Sequence, residues 1–540
     1  MIDYHRRAKA LLQASAFLEA AGRPASAVAL RRGLEHDRLL LALAARPSQV
    51  AHKGEQRSSQ VRVATILDPF SANSFAGSFE GTTLLPECWR SQFEVAKPQI
   101  FLCESAWTGA SLERRPWSGR VHASRRLVRE NRGELLAILE HCRKQGIVTV
   151  FWNKEDPTHY GDRVHDFVKT ATAFDYVFTT AHECIADYRA DHGLTDVHAL
   201  PFATNPALFS PVETHARSDV VTFAGSWYAH HEARCEDMHR MLGGLVAGGF
   251  RLEIYDRFHG TADDKHIWPE AYRRFLHPAV PHSDMPRIYK AGRFGLNINT
   301  VTSSRTMFAR RVFELMSSNT LVLSNYSVGM EELFGQDVVF CDREPDRLKS
   351  LSEGEIDAMR ERNLNLVLSH HTYRQRWEQI LTQIGFSFRP AAETLTVVWP
   401  MRTATDAEAA QHWFRQEADI RRDKLLLVAL DSMLPDEFAA CTALRTDALN
   451  VTTLRDLDQA RGTSRAYCVE TDYLLVHAPG HLPPEGWLAR ARLHLQYAGS
   501  HPVGLAPDVT ARYRLGTAFA QGPLFIRAGH ATDEEQILAV

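Results

Sequence analysis

The sequence predicts an α/β protein built on two tandem, doubly wound parallel sheets that face each other across a cleft. Three observations predict it. Short β-rich runs alternate with helical patterns along most of the chain, the signature of parallel strands covered on both faces. The alternation falls into two blocks, separated by the Pro- and Asn-rich segment "PFATNPALFSPV" at residues 201–212. A chain of 540 residues is also too long for one core, so several domains are required.

Residues 1–58 read as a helical extension, two helices broken at "GRPAS" and followed by the polar linker "AHKGEQRSSQ". A first Rossmann-like domain over 59–205 takes its strands from "VRVATIL" (61–67), "QIFLCE" (99–104), "IVTVFW" (147–152), "YVFTT" (176–180) and "VHALP" (197–201). The pattern "GELLAILEHCRKQG" supplies one of the helices between them. A second such domain over 206–388 takes "VVTFAG" (220–225), "RLEIYD" (251–256), "FGLNIN" (294–299), "TLVLSN" (320–325) and "VVFC" (338–341). It closes with one long helix over 369–385, apolar on one face. Residues 389–540 open with the strand "TLTVVWP" and form a third α/β region. Doubly wound sheets bind ligands outside the carboxyl ends of their strands, which directs attention to the cleft.

Composition excludes several classes. With 44% hydrophobic and 24% charged residues, the chain reads as soluble and globular. A net charge of −3 gives no global attraction to a phosphate backbone, which argues against a nucleic-acid partner. Eight cysteines without CxxC or zinc-like spacing suit the reduced thiols of a cytoplasmic protein. Gln13 and Glu19 interrupt the apolar part of the N-terminus and reject a signal peptide. No apolar run is long enough to predict a membrane span. Neither "AHHE" nor "SHHT" has metal-ligand spacing, and GxSxG, GxxxxGK[ST] and GxGxxG are all missing. No metal and no cofactor are therefore expected.

The stretch "SRTMFARRVFELMSSNTLVLSN" (304–325) carries the strongest signal. Phe308, Val312, Leu315 and Met316 fall at i, i+4, i+7 and i+8 and predict a helix over 307–318 with one buried stripe. Ser303, Ser304 and Thr306 are candidate caps, and Asn319 marks the stop because asparagine tolerates a left-handed backbone. Arg305, Arg310 and Arg311 crowd the start. One reading is an anion site, since a helix start offers free N–H groups and guanidinium forks match phosphate oxygens. The other is a surface ion pair between Arg310 and Glu314, worth roughly 0.3–0.5 kcal/mol. The place of this helix in a second Rossmann-like domain favours phosphate.

Together "FAGSWYAHHEARCEDM", "IYKAGRFGLNINTVTSSRTMFARRVFELMSSNTLVLSNYS" and "VFWNKEDPTHY" resemble the CgeB-like spore maturation glycosyltransferases, over about residues 95–388. The resemblance implies the GT-B fold and transfer of a sugar from a nucleotide diphosphate sugar. It implies that Glu314 holds the donor ribose and that Gly225 allows close approach of the donor. Arg305 and Arg310 would meet the diphosphate, with Ser304, Thr306 and Arg311 completing the donor-binding set. Thr306 stands where a sugar-contacting glutamate is usual, a departure from the family pattern. Asn297 and Asn299 end a predicted strand and would face the cleft.

In the first domain a strongly apolar strand runs into Lys154, Glu155, Asp156 and His159. Glu155, Asp156 and His159 are candidates to deprotonate an acceptor hydroxyl, as an inverting transfer requires. The alternative is a local ion-pair cluster around the Asp156–Pro157 turn. Asp68 and Glu104 also follow strands and are secondary candidates for acceptor contacts. Trp107 and Trp117 read either as sugar-stacking or as core. The segment "DYLLVHAPGHLPPEGWLARARLHLQ" resembles the middle of a GT-A fold, but His477, Ala478, Pro479 and Gly480 stand where metal-binding carboxylates are usual. It reads as a degenerate GT-A-like domain with a binding or assembly role. The expected partners are a nucleotide sugar and a glycan or protein acceptor, with a homo-oligomer left open. Two other functions compete: a nucleotide-sugar epimerase on the same fold, and a non-catalytic saccharide-binding assembly protein, which Thr306 and the C-terminal motif favour.

Overall fold

The computed structural model describes residues 56–390 apart from 128 and 262, residues 394–459, 471–477 and 484–499, and shorter pieces at 14–20, 23, 38–39, 501–506, 512–516, 523–527 and 537–539. The chain forms two units, Gly54–Ala391 and a second made of Met1–Lys53 together with Ala392–Val540.

The unit Gly54–Ala391 contains two six-stranded sheets. The first joins β1 (Arg62–Ile66), β2 (Glu80–Thr83), β3 (Ile100–Glu104), β4 (Val148–Asn153), β5 (Tyr176–Thr179) and β6 (Val197–Ala199), in the order β2-β1-β3-β4-β5-β6. The second joins β7 (Ser218–Ala224), β8 (Arg251–Asp256), β9 (Leu276–Pro278), β10 (Gly292–Asn297), β11 (Leu321–Ser324) and β12 (Val339–Phe340), in the order β12-β11-β10-β7-β8-β9. Every pairing in both sheets is parallel. The two Rossmann-like sheets expected from the alternation are present. All five residues of β3 are buried, as a strand covered on both faces requires. The sequence pattern does not reveal β2 and β9, because both are short edge strands with little buried surface and no apolar signal.

Two predicted helices differ. The helix expected over 307–318 begins only at Arg311 and ends at Ser317, with Arg310 at the N-cap and no side-chain cap. Ser304 instead turns its Oγ to the N–H groups of Thr306 and Met307, which holds 304–309 as a loop. The apolar stripe is nevertheless buried, and Asn319 ends the helix with φ +52°. The helix expected over 369–385 is one helix that starts later, at Tyr373, because residues 369 and 370 end the separate helix before it. Glu353–His370 ends where Thr372 and Gln375 form a capping box, and Tyr373–Gln383 starts a new direction.

That second helix returns to the first domain. Trp377 donates its Nε1–H to the Ser58 carbonyl at 2.9 Å, and Gln379 donates to the Ala199 carbonyl at 3.0 Å. A single apolar cluster consequently joins Val63, Ile100, Trp152 and Phe178 of the first sheet to Phe308, Val312, Val322 and Trp377.

In the other unit β13 (Leu395–Met401), β14 (Lys424–Ala429), β15 (Leu449–Thr453) and β16 (Tyr473–Val476) pair in parallel, in the order β15-β14-β13-β16. Beyond β16 the sheet continues through β19 (Leu524–Arg527), β17 (Val503–Gly504), β20 (Ile537–Ala539) and β18 (Leu515–Gly516). His477, where the strand leaves the sheet, stacks on Trp399 with ring centroids 3.6 Å apart and planes 9° apart. Ala478, Pro479 and Gly480 lie outside the described residues, as does most of the expected N-terminal helix pair. Leu39 is buried with Val398, Leu426 and Leu474, so this part of the N-terminal segment belongs to the third sheet's core. Among the described residues seven cysteines are free, five of them buried, and no helix is long and apolar enough to cross a membrane.

Residues 54–391 expressed alone should fold and unfold cooperatively in urea. Trp377→Ala should cost that fragment about 3–5 kcal/mol, because the ring is fully buried between the two domains. A loss below about 1 kcal/mol would mean that the two sheets do not depend on a shared core.

Candidate active site

In the second sheet the strand order reverses between β7 and β10, and ligands of open α/β sheets bind at such a point. The segments leaving these strands supply Tyr228, His230 and His231 on one side and Ile298 to Val301 on the other. With Met307, Phe308 and Ala309, and with Thr158 and His159 of the first domain, they line a cavity of about 390 Å³. The expected cleft is therefore real, and both domains contribute to its wall.

The loop before the arginine helix is fixed from two sides. Val328 and Gly329 donate their N–H groups to the carbonyls of Thr302 and Ser304 at 2.9 and 3.1 Å. Gly329 must be glycine, since a Cβ there would stand 2.4 Å from the Arg305 carbonyl oxygen. Thr306 Oγ1 donates to the Thr180 carbonyl at 2.7 Å and accepts the His182 N–H at 2.9 Å, so it clasps the two domains. The three arginines separate. Arg305 is exposed and paired with Glu332 at 2.9 Å. Arg310 reaches into the first domain to Ser71 and Ser74 at 3.1 and 3.4 Å, with its guanidinium over the Phe202 ring. Only Arg311 stays at the strand ends, donating to Asn297 Oδ1 at 3.2 Å and lying over Phe223, with its Nε buried and without a hydrogen-bond partner. Gly225 serves this packing, because a Cβ there would lie 2.5 Å from the Phe223 ring.

The reading of Glu314 as the partner of Arg310 does not survive. Its carboxylate is buried and takes His282 Nε2 at 3.2 Å and the Tyr289 hydroxyl at 3.3 Å. Asn297 is buried behind the cavity wall, and Asn299, itself buried, forms part of that wall. Asn297 donates to Asn299 Oδ1 and Ser324 Oγ, while Asn299 accepts the Ala309 N–H at 3.1 Å.

The sequence reading missed Arg234. It sits in the first turn of the helix Glu232–Ala247, 7% exposed, and donates to the Ser226 carbonyl at 3.2 Å. Its guanidinium lies 4.9 Å from the centre of the Tyr228 ring, which lines the cavity. Burial, and then the charge of Arg311, pull its pKa down to about 10. No carboxylate pairs with Arg234 or Arg311 among the described residues. Buried charges ordinarily come paired, so two adjacent cations against a cavity wall form a place for an anion. Burial, His230, Arg234 and His159 lower the pKa of His231 and favour its neutral form.

The first sheet's order reverses between β1 and β3, and there one lysine is surrounded by carboxylates. Lys154 Nζ stands 2.9 Å from Asp68, 3.1 Å from Glu155 and 3.7 Å from Glu104. Burial opposes its charge, yet the three carboxylates raise its pKa well above the ordinary lysine value. Asp68 accepts the N–H groups of Trp107, Thr108 and Gly109. Burial pushes Glu104 up to about 7 against the pull of Lys154. Asp156 is fully buried and accepts from Asn153, Thr179 and Tyr188 at 2.8, 2.8 and 3.1 Å; burial takes it up to about 7. Asp156 is thus enclosed, and Glu155 is engaged by Lys154 and by Trp107 Nε1 at 2.9 Å. Of the three acid–base candidates only His159 lines the cavity. Its Nδ1 lies 3.2 Å from Asp162, which leaves Nε2 as the basic nitrogen. Asp162 also holds His165 at 3.0 Å; partial burial raises its pKa, but these hydrogen bonds bring it well below the carboxylate range. Trp117 is core, bonded to the Leu84 carbonyl, and Trp107 packs among His122, His159 and His165. Among the described residues no group of three His, Cys, Asp or Glu is arranged to hold a metal ion.

Residues 243–382 match a family model described as glycosyl transferase-like. This span contains β8 to β12 and Arg311, but not Arg234 or the first domain. No curated protein matches the chain. Among solved structures, an alpha-glucosyltransferase in complex with UDP and a 13-mer DNA is similar at 10% identity and a TM-score of 0.41, covering 61% of this chain and 100% of that one. TarM is similar at 9% identity and 0.33, covering 53% of this chain and 54% of that one. The N-terminal domain of Candida albicans trehalose-6-phosphate phosphatase is similar at 8% identity and 0.35, covering 56% and 74%. The exclusion of nucleic acid is not retained. It rested on net charge, which averages away local concentrations such as the seven arginines between residues 110 and 132.

The raised pKa of Asp156 has a signed consequence. Between its ordinary value of 3.8 and about 7 the folded protein holds a proton that the unfolded chain has released, so this stability is lost as pH rises through 7. Between pH 6 and pH 8 the loss amounts to about 1 kcal/mol, and Asp156→Asn should remove that part of the pH dependence. Urea unfolding at both pH values checks it; equal slopes in parent and variant would show an ionised Asp156.

Proposed function

We propose that the protein is a CgeB-like glycosyltransferase that moves a sugar from a nucleotide diphosphate sugar to a hydroxyl of a glycan or protein acceptor, with no metal. The observation that carries this reading is the pair Arg234 and Arg311, buried behind residues that line the interdomain cavity and without carboxylate partners among the described residues. The glycosyl transferase-like match over 243–382 supports it.

In this reading the two guanidinium groups take the diphosphate, a role that fixed cations fill where no metal is used. Asn297 orients Arg311, and Asn299 holds the cavity loop through Ala309. His159, its Nδ1 tied to Asp162, accepts the proton of the acceptor hydroxyl on Nε2. The acceptor oxygen then bonds to the sugar's anomeric carbon as the bond from that carbon to the diphosphate breaks. The electron pair leaves on the diphosphate, where the arginines stabilise it. A base in this position suits a single, inverting displacement. Glu314 remains the proposed ribose contact.

Titration of the full chain with nucleoside diphosphates tests the donor half. Arg311→Gln or Arg234→Gln should weaken binding by about 1.5–3 kcal/mol each, the value of a charge-assisted hydrogen bond. Glu314→Gln should weaken it by a similar amount if the ribose lies there. His159→Gln should leave binding intact and lower turnover about 10²–10⁴-fold. Turnover should persist in EDTA. Unchanged nucleotide affinity in both arginine variants would sink the donor assignment.

A further inference from the structure

Between β3 and the helix Gly133–Gln145 lies a loop that the cleft does not explain. From residue 110 to residue 132 it holds seven arginines against two glutamates, in a chain of net charge −3. Six of them, Arg114, Arg115, Arg120, Arg125, Arg126 and Arg129, are exposed, and their side chains have no ion pair or hydrogen bond among the described residues. Only Arg132 is paired, with Glu130 at 2.8 Å. The same loop exposes Leu112 and Leu127, 64% and 52% accessible.

This loop is built rather than slack. Trp117 and Val121 are buried, Asn131 donates to the His122 carbonyl at 2.8 Å, and Ala123 pairs with Asp166. The anchors point inward and the arginines and leucines outward. A soluble polyanion would be satisfied by the arginines alone and gives no reason to expose two leucines. An anionic bilayer satisfies both, with phosphates for the guanidinium groups and the headgroup–acyl boundary for the leucines.

We propose that residues 110–132 dock the protein peripherally on an anionic lipid surface. Docking there places the cavity close to the bilayer. The His122 ring is 6.1 Å from that of Trp107, which is 5.4 Å from that of His159 on the cavity wall. Docking does not depend on the glycosyltransferase reading, and its test needs no turnover.

The full chain should sediment with vesicles of equal phosphatidylcholine and phosphatidylglycerol in 0.1 M NaCl, not with phosphatidylcholine alone, and be released in 0.5 M NaCl. Replacing Arg125, Arg126 and Arg129 together by Gln should weaken vesicle binding about 100-fold, roughly fivefold for each charge removed. The pair Leu112→Ser and Leu127→Ser should weaken vesicle binding while leaving any affinity for duplex DNA unchanged. Circular dichroism confirms that each variant is folded. Equal binding to neutral and anionic vesicles, or undiminished binding by the triple arginine variant, would overturn the proposal. So would vesicle binding indifferent to the leucines, which would make the loop a site for a soluble polyanion such as nucleic acid.

Discussion

Trp377, at the end of the second domain, lies in the same apolar cluster as Val61 and Trp152 of the first and as Phe308 and Val312 beside the cavity. Through that shared core each domain fixes the other, and the cleft inherits its geometry from it. Burial of such large side chains is worth several kcal/mol in all, far more than any one polar contact across the seam. Thr306, Arg310 and Arg376 then set the register. Each bonds to a carbonyl or hydroxyl of the first domain: Thr180, Ser71 and Ser74, and Pro201 and Phe202. Apolar burial brings the domains together, and the hydrogen bonds decide how they meet.

The two places where strand order reverses have opposite characters. In the first sheet three carboxylates close around Lys154, although Glu104 Oε2 stays buried without a hydrogen-bond partner. In the second, Arg234 and Arg311 stand together with no carboxylate pairing either of them among the described residues. Desolvating like charges side by side is unfavourable, so this arrangement is held by the packing around it: Tyr228 under one guanidinium and Phe223 under the other. An anion would relieve the repulsion there and would find nothing to relieve at Lys154. The asymmetry favours an anion at the second sheet rather than the first, on physical grounds separate from resemblance.

Much of the fold was legible in the sequence because long apolar runs and helix periodicity report burial directly. Ten of the twelve strands in the two Rossmann-like sheets lie on runs such as "QIFLCE" and "VVTFAG". The unread β2 and β9 are edge strands, where pairing on one side only asks for no apolar pattern. The helix at 307 was misjudged because Phe308 fits helical spacing while its neighbours Ser304 and Thr306 spend their hydroxyls on loop and interdomain bonds. His159 was legible as a polar residue after a strand. Its partner Asp162, three residues on, was not weighed, and the pairing is visible only once the turn is folded. Arg234 gave no signal at all, since "HHEARCEDM" reads as an ordinary solvated helix and only tertiary packing buries that one residue.

Thr306 raised doubt because a glutamate is usual there, and the structure supplies a reason for the exchange. Its hydroxyl donates to one main-chain group, the Thr180 carbonyl, and accepts from another, the His182 N–H. An ionised carboxylate can only accept, so glutamate at this position would leave the Thr180 carbonyl facing a negative charge. A hydroxyl is the smallest group that serves both partners at once. Thr306 thus serves a bond between domains, and its departure from the residue that the resemblance implies is not by itself a sign of lost catalysis. On the first domain's side of the cavity, His159, held by Asp162, is the basic group that lines it.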